Sequence, residues 1–240
     1  MKAVSIAAAL AGLAAMAGLV AVFGAGAVAH SLLALGWAGF ALICLIQLFL
    51  IAVMGVAWRG LVAGPVAIWV FPWARLVRDA GSEVLPLSPI GGSVLGARAA
   101  MLAGVSGATA AASTIVDLTL ELLSKLAYTA LGLLWLVHLR PHSPFALPVA
   151  IGLAAAALVA AGFVVAQRRG AQFADRIAAR LGRGWAERTA AGAAALHTAL
   201  SRVYRRRSGL WRGFLLHLGC WIGGAAEAWI VLRLVGAPLP

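Results

Sequence analysis

The stretch AGFALICLIQLFLIAVMGVAW, residues 38–58, decides the fold of this chain. It contains no charged residue, and its length suits an α-helix that crosses a bilayer, which needs about 20 apolar residues. Four further stretches are comparably long and apolar: 3–24, 115–138, 145–166 and 213–235. Together they predict an all-α integral membrane protein, with about five transmembrane helices in a single membrane domain over residues 1–240.

The composition agrees with a membrane protein. Of the 240 residues, 63% are hydrophobic and 11% are charged, whereas globular chains are about 45–50% apolar and about 25% charged. So few polar residues cannot cover a surface in water, which excludes a soluble enzyme, a nucleic-acid-binding protein and a disordered chain. The net charge of +12 is therefore interpreted as a signal of membrane topology rather than of a nucleic-acid partner.

The arginines predict the orientation. Eleven of them, against two acidic residues, lie between Arg168 and Arg212. Loops rich in arginine and lysine remain in the cytoplasm. The short links 25–37 and 139–144 then face outside, the N-terminus is cytoplasmic and the C-terminus is periplasmic.

The arginine-rich segment 167–212 has helical character. Phe173, Ile177 and Leu181 recur at every fourth position, which is typical of an amphipathic helix on anionic lipid head groups. The alternative is that the segment carries only the topology signal.

The region 59–114 is apolar but interrupted. Two stretches, 61–74 and 94–113, are short or broken for a span, and glycines and prolines interrupt them: Gly64, Pro65, Pro72, Gly96, Gly104 and Gly107. Such segments point to binding sites in transporters. We expect two re-entrant half-helices that enter from the cytoplasmic side between the second and third transmembrane helices. Seven spans result if both cross, and a plain pair of interfacial loops is the alternative.

Three ionisable residues lie in the third predicted span. Asp117, Glu121 and Lys125 are spaced by four residues, and each costs about 2.5–3.5 kcal/mol at mid-helix if it faces lipid. Asp117 and Glu121 share one helical face with Ser113, Ser124 and Tyr128. The stripe is therefore predicted to face protein or water, with Glu121 paired to Lys125. Asp117 is left for a cation, a proton or an arginine of the re-entrant region; a purely structural lock between helices is the alternative.

A second group of charges precedes this span. Arg75-Leu-Val-Arg78-Asp79 is followed by Glu83-Val-Leu-Pro-Leu-Ser-Pro-Ile-Gly-Gly92 and then by Arg98. Pro86 and Pro89 predict irregular backbone between the charges. The arginines could hold a lipid phosphate, because guanidinium groups match phosphate oxygens, or they could simply lie at the cytoplasmic interface.

The last predicted span carries a face of small residues. Gly219, Gly223 and Glu227 are spaced by four residues, which predicts close approach of another helix and one buried carboxylate. His217 and Arg233 are expected to extend toward the membrane surface.

Three of these motifs resemble one family, the lysylphosphatidylglycerol synthase transmembrane (flippase-type) family, and within it the hopanoid-biosynthesis-associated members. The motifs are the run from Glu83 to Arg98, the segment Ile115-Val-Asp-Leu-Thr-Leu-Glu121, and His217-Leu-Gly-Cys-Trp-Ile-Gly-Gly-Ala-Ala-Glu227-Ala-Trp. The resemblance implies a bacterial inner-membrane protein that moves a lipid or helps to deliver it. Members often carry Gly-Glu where this chain has Gly92-Ser93.

The resemblance also bears on the extent of the chain. Members usually continue with further helices, so we expect a short or truncated form whose cavity is completed by a second copy or by a partner protein. No aminoacyl-transferase domain follows, and lysine transfer is therefore not expected.

The first functional hypothesis is a lipid flippase, transporter-like rather than enzymatic, that moves a hopanoid-related or phospholipid head group through a polar cleft. Its expected substrate-binding residues are Arg78, Glu83, Arg98, Asp117, Glu121, Lys125 and Glu227. No P-loop, HExxH or Cys/His cluster occurs in the sequence, so neither a metal nor a cofactor is expected. The expected partners are membrane lipids.

Two other hypotheses remain open. A scaffold that does not transport would recruit lipid-synthesis enzymes through the arginine-rich loop. A rhomboid-like intramembrane serine protease would use Ser106, in Gly104-Val-Ser106-Gly107, with His217 as its base; that dyad requires hydrogen-bond contact at about 2.6–3.2 Å.

Overall fold

A computed structural model describes residues 24–84, 88–178 and 183–236, together with positions 14, 17, 18, 21 and 22. The described residues form seven α-helices and no strand: α1 Ala25–Arg59, α2 Val70–Val84, α3 Ser88–Leu102, α4 Gly107–Leu139, α5 Ala146–Ala178, α6 Arg183–Arg205 and α7 Arg207–Leu234. The predicted all-α class is confirmed.

Four of the described helices are long and apolar enough to cross a membrane. The segments are Leu33–Arg59, Gly107–Leu139, Ala146–Gln167 and Arg207–Leu234. They confirm the spans predicted at 38–58, 115–138, 145–166 and 213–235, and the chain is a multi-pass membrane protein. The predicted first span, 3–24, falls outside the described residues apart from isolated positions.

The predicted link 25–37 is wrong, because these residues belong to α1. Gly36 interrupts the helix with a φ of 64°, a conformation that costs glycine little because it has no Cβ. The chain therefore changes direction at one residue and continues helically, where a loop was expected.

Two short helices do occupy the interrupted region, but with other boundaries than the predicted 61–74 and 94–113. Residues 60–69 are not helical. The Arg59 guanidinium organises them by donating to the carbonyl oxygens of Val62, Gly64 and Val66 at 2.7, 2.9 and 3.0 Å. Helix α2 therefore begins only at Val70.

Prolines and a capping serine explain the other boundaries. Pro72 and Pro89 lie in the first turns of α2 and α3, where the missing N–H has no intrahelical partner to lose. The irregular backbone predicted around Pro89 is therefore wrong, while Pro86 lies outside the described residues. The predicted stretch 94–113 belongs to two helices, because α3 ends at Leu102 and the Ser106 hydroxyl caps α4 by accepting from the Thr109 N–H at 3.4 Å.

Small residues clamp α2 between α1 and α3. A Cβ at Gly55 would overlap the backbone of Pro72, and one at Gly92 would overlap the Arg78 carbonyl and Ser82. Helices α2 and α3 therefore approach each other closely at Gly92. This close approach holds α2 so that its arginines reach α4.

Helix α6 folds back onto the bundle. Its residues Ala199, Leu200 and Val203 are buried in one core cluster with Val116 and Leu120 of α4. The described residues of 167–212 are helical apart from Arg206, and the described apolar face of α6 contacts protein. The side chains at 168–190, including those of Phe173, Ile177 and Leu181, lie outside the described residues.

Candidate functional site

Charged side chains from three helices meet between α2, α4 and α7. Arg78 Nη1 donates to Asp117 Oδ2 at 2.8 Å, and Arg78 Nη2 donates to Glu121. Arg75 donates through Nη1 and Nη2 to the two carboxylate oxygens of Glu121 at 3.0 and 3.2 Å. His217 Nε2 lies 3.0 Å from Asp117 Oδ1. With Asp79, these residues are called the charge network.

Helical spacing explains how the members converge. Arg75 and Arg78 are three residues apart on α2, and Asp117 and Glu121 are four apart on α4, so each pair shares one face of its helix. Asp79 lies one turn after Arg75 and accepts a hydrogen bond from its Nε at 2.8 Å. This contact fixes the guanidinium so that its two remaining nitrogens point at Glu121.

Burial is uneven across the charge network. The side chains of Asp117 and His217 are 0% exposed, and those of Arg75 and Arg78 only 5% and 4%. Glu121 and Asp79 keep 22% and 32% exposure. The arginines therefore lie inside, and the accessible edge of the site consists of carboxylates.

The charges nearly balance. Two guanidinium groups face three carboxylates, which leaves one negative unit when His217 is neutral. A buried charge is tolerated only with a well-placed partner, and removing one partner leaves the other uncompensated. The network is therefore stable as a unit and not as separate pairs.

An aromatic wall supports the network. Trp58 is fully buried; its Nε1 donates to Ser113 Oγ at 3.1 Å and its ring packs edge-to-face on Phe71 at 5.2 Å. The Arg78 guanidinium lies over the same Trp58 ring at 5.9 Å, a favourable cation–π arrangement. Asp117 follows Ser113 by one turn of α4, or about 6 Å.

This contact with Trp58 locates the site along the bundle. Arg59, the next residue, ends α1, and Arg207 begins α7; we call this the basic end. The network lies one to three turns inward from it, since Asp117 follows Ser113 by one turn of α4 and His217 follows Arg207 by ten residues of α7. This is the side for which the arginines predict the cytoplasm.

The structure brings part of the predicted site together. Asp117 and Glu121 share the network, and the arginine expected to meet Asp117 is Arg78. The predicted Glu121–Lys125 pair is wrong, because Glu121 accepts from two arginines, which can bind a carboxylate through two nitrogens. Lys125 is exposed, with its Nζ 4.7 Å from the centroid of the Trp221 ring.

Other predicted residues lie away from the network. Glu83 and Arg98 are exposed, on α2 and α3. The alternative that Arg78 simply lies at the cytoplasmic interface is wrong, because its side chain is buried. Glu227 is partly exposed, ten residues beyond His217 on α7, and forms no hydrogen bond or ion pair with the residues that the structure describes.

The close approach predicted on α7 is found at one of its two glycines. A Cβ at Gly223 would lie 2.9 Å from Leu50 Cδ2 of α1, whereas the space beside Gly219 is open. Further approaches occur nearer the basic end, where a Cβ at Gly213 would lie 2.8 Å from Leu120 Cδ1. The tightest contacts of α7 therefore begin earlier along the helix than its sequence suggested.

Sequence reasoning missed His217 as a partner of Asp117. It was expected to extend toward the membrane surface but is fully buried. The position of His217 in the helical repeat could have indicated its burial, because Gly209, Gly213 and Cys220 are buried on the same face of α7. A histidine within a face of small residues packs inward.

The serine protease dyad is not formed. Ser106 is exposed, caps α4 and donates to Thr109 Oγ1 at 2.8 Å. His217 instead contacts Asp117, which lies eleven residues, or about 16 Å, along α4 from Ser106. The geometry does not support Ser106 as a nucleophile activated by His217.

One comparison with known proteins identifies the family. The family model of the lysylphosphatidylglycerol synthase TM region matches residues 5–240. No curated protein and no solved structure matches the chain. The chain belongs to the lysylphosphatidylglycerol synthase transmembrane-region family, as its three motifs predicted.

Proposed function

We propose that this member of the lysylphosphatidylglycerol synthase transmembrane-region family is a lipid transporter of the flippase type in a bacterial inner membrane. It moves a polar head group, hopanoid-related or phospholipid, past the charge network while the acyl chains remain in the bilayer. The observation that carries the proposal is the meeting of six ionisable side chains from three helices inside a membrane protein. Such residues are costly there and mark substrate pathways by default.

The network has the chemistry that a head group needs. A head group that leaves water loses several hydrogen bonds, and each loss costs free energy unless a new partner replaces it. Glu121 and Asp79 are the accessible members and accept hydrogen bonds from hydroxyl or ammonium groups. A head group that binds them competes with Arg75, because the Arg75 guanidinium donates hydrogen bonds to both carboxylates.

This competition suggests how passage could occur. When Glu121 and Asp79 turn to the head group, Glu121 also gives up its bond from Arg78 Nη2. The Arg75 guanidinium is then released and can contact the lipid's own oxygens. The buried pair of Arg78 with Asp117 stays in place, and with His217 it keeps α2, α4 and α7 joined. One half of the network therefore exchanges partners while the other half holds the helices.

Leaflet exchange in liposomes tests the proposal. The full chain is reconstituted, and the loss of fluorescence of labelled lipids is followed after a membrane-impermeant quencher is added outside. Glu121→Gln should reduce exchange to the protein-free rate. The matched control is Glu83→Gln, which removes the same charge from an exposed residue outside the network and should exchange like the wild type.

The opposite result would favour the scaffold hypothesis. If wild-type protein folds but no lipid of the panel exchanges, or if Glu121→Gln exchanges as fast as Glu83→Gln, the transport proposal is wrong. Deleting the arginine-rich segment is a poor test of a scaffold, because Ala199, Leu200 and Val203 belong to the core. Arg202→Gln, at an exposed position of α6, removes a basic group without touching that core.

A further inference from the structure

A polar cavity of about 360 Å³ lies between α5, α6 and the start of α7. Its wall includes Gln167, His197, Ser201, Arg205 and Arg207. The two arginines form no ion pair with any carboxylate of the described residues. His197 Nδ1 is buried and lacks a hydrogen-bond partner in that part of the chain. The cavity thus gathers two cationic groups, an imidazole and a hydroxyl with no anion among them.

The wall of this cavity is held in place. Gln167 is 9% exposed; its Nε2 donates to Thr119 Oγ1 at 2.8 Å and its Oε1 accepts from the Tyr204 hydroxyl at 2.7 Å. These bonds tie α5 to α4 and α6. Two guanidinium groups beside a fixed wall suit a phosphate, whose oxygens accept paired hydrogen bonds.

The position of the cavity indicates where the phosphate comes from. Gln167 is the last residue of one candidate span, and Arg207 is the first residue of another. Both therefore lie at the level where apolar helix gives way to head groups.

A second, apolar cavity of about 480 Å³ adjoins the first. Leu120 and Leu123 of α4 and Leu210, Trp211 and Phe214 of α7 line it, and it shares Arg207 with the polar cavity. A polar cavity that suits an anion and an apolar cavity that suits an acyl chain meet at Arg207. This combination matches a phospholipid rather than a free phosphate.

We propose that the two cavities form one binding site for an anionic phospholipid. Its phosphate contacts Arg205, Arg207 and His197, and one acyl chain lies between α4 and α7. The network arginines already donate to carboxylates, whereas Arg205 and Arg207 form no ion pair with a carboxylate of the described residues, which favours the α6–α7 joint for a phosphate. The site is distinct from the network, and its occupancy does not depend on transport.

Lipid binding to the delipidated full chain in detergent tests this proposal. Native mass spectrometry should show one phosphatidylglycerol bound at least tenfold more tightly than phosphatidylcholine, whose choline the arginines repel. Arg205→Gln with Arg207→Gln should weaken phosphatidylglycerol binding at least tenfold, because two charge-assisted hydrogen-bonding groups are lost. The control, Arg202→Gln with Arg212→Gln, removes the same charge at the same end from residues that do not line the polar cavity, and should stay within twofold.

Two further experiments distinguish a bound phospholipid from a bound free phosphate. Leu123→Trp fills the apolar cavity and should weaken phosphatidylglycerol binding severalfold, and millimolar inorganic phosphate should fail to displace the lipid. Arg207→Lys keeps the charge but loses the planar fork and should weaken binding severalfold, which covers the case that the double variant does not fold. The proposal is overturned if the control pair weakens binding equally, if neither Arg207 variant weakens it, or if phosphate displaces the lipid and Leu123→Trp has no effect.

Discussion

Replacing Arg78 by methionine should be the most damaging single change in the charge network. Arg78 is 4% exposed, donates to Asp117 and to Glu121, and covers the Trp58 ring. Its loss leaves three carboxylates facing one guanidinium, and Arg75 Nη1 is 3.7 Å from Asp117 Oδ2, too far to replace the lost bond. Removing one partner of a buried pair costs about 3–5 kcal/mol.

The isosteric change Asp117→Asn should cost less. The amide keeps an acceptor for Arg78 and brings the network to neutrality, so that about one charge-assisted hydrogen bond is lost, worth about 1.5–3 kcal/mol. Combining Arg78→Met with Asp117→Asn restores the original net charge of one negative unit. The double variant should therefore be more stable than additivity predicts, by about 0.5–3 kcal/mol.

Equilibrium unfolding of the full chain, in mild detergent with increasing sodium dodecyl sulfate, measures all three free energies. The control is Arg98→Met, at an exposed arginine of the neighbouring helix α3, expected within about 0.5 kcal/mol of the wild type. If Arg78→Met were no more costly than this control, or the two network changes were strictly additive, the claim that the charges are stable only as a unit would fail.

Three further changes separate the network from its surroundings. Gly92→Ala should lower stability by about 1–3 kcal/mol, because its methyl group forces α2 and α3 apart. Gly132→Ala, beside open space, should be neutral or slightly stabilising in the same equilibrium unfolding assay. Lys125→Gln should lower the free energy of unfolding by at most about 1 kcal/mol, the value of an exposed cation–π contact. A larger loss would support the Glu121–Lys125 ion pair predicted from sequence. Glu227→Gln should slow lipid exchange in liposomes without changing the unfolding temperature, since no described residue pairs with Glu227; an unchanged rate would remove it from the transport path.

Sequence alone could predict the spans because their signal is local. A run such as 38–58 is apolar over the full length of a bilayer crossing, and no other part of the chain needs to be known. The boundaries of α2 and α3 were missed for a local reason too. Pro72 and Pro89 were treated as helix breakers, although a proline in the first turn breaks nothing.

The partners within the charge network could not be predicted in the same way. The i+4 rule favours Lys125 for Glu121, yet Arg75 and Arg78, more than forty residues earlier in the chain, bind the carboxylate. That choice depends on the distance between α2 and α4, which the sequence of either helix alone does not fix. Helical periodicity shows which face a residue occupies but not which helix lies opposite.

Helix α4 connects the two proposed sites. Leu120 lines the apolar cavity, while Glu121, the next residue, accepts from the arginines of the network. Consecutive residues of an α-helix point about 100° apart. Leu120 and Glu121 therefore place the acyl chain and the network on different faces of the same turn of α4. Gly213 of α7 also packs at Leu120, where a Cβ would lie 2.8 Å from Leu120 Cδ1, and α7 carries His217 of the network four residues later. A lipid acyl chain that fills the apolar cavity contacts α4 and α7, the same two helices that the Asp117–His217 contact joins. An anionic lipid in the two cavities therefore contacts α4 and α7 beside the network, and its binding is expected to hold these two helices together.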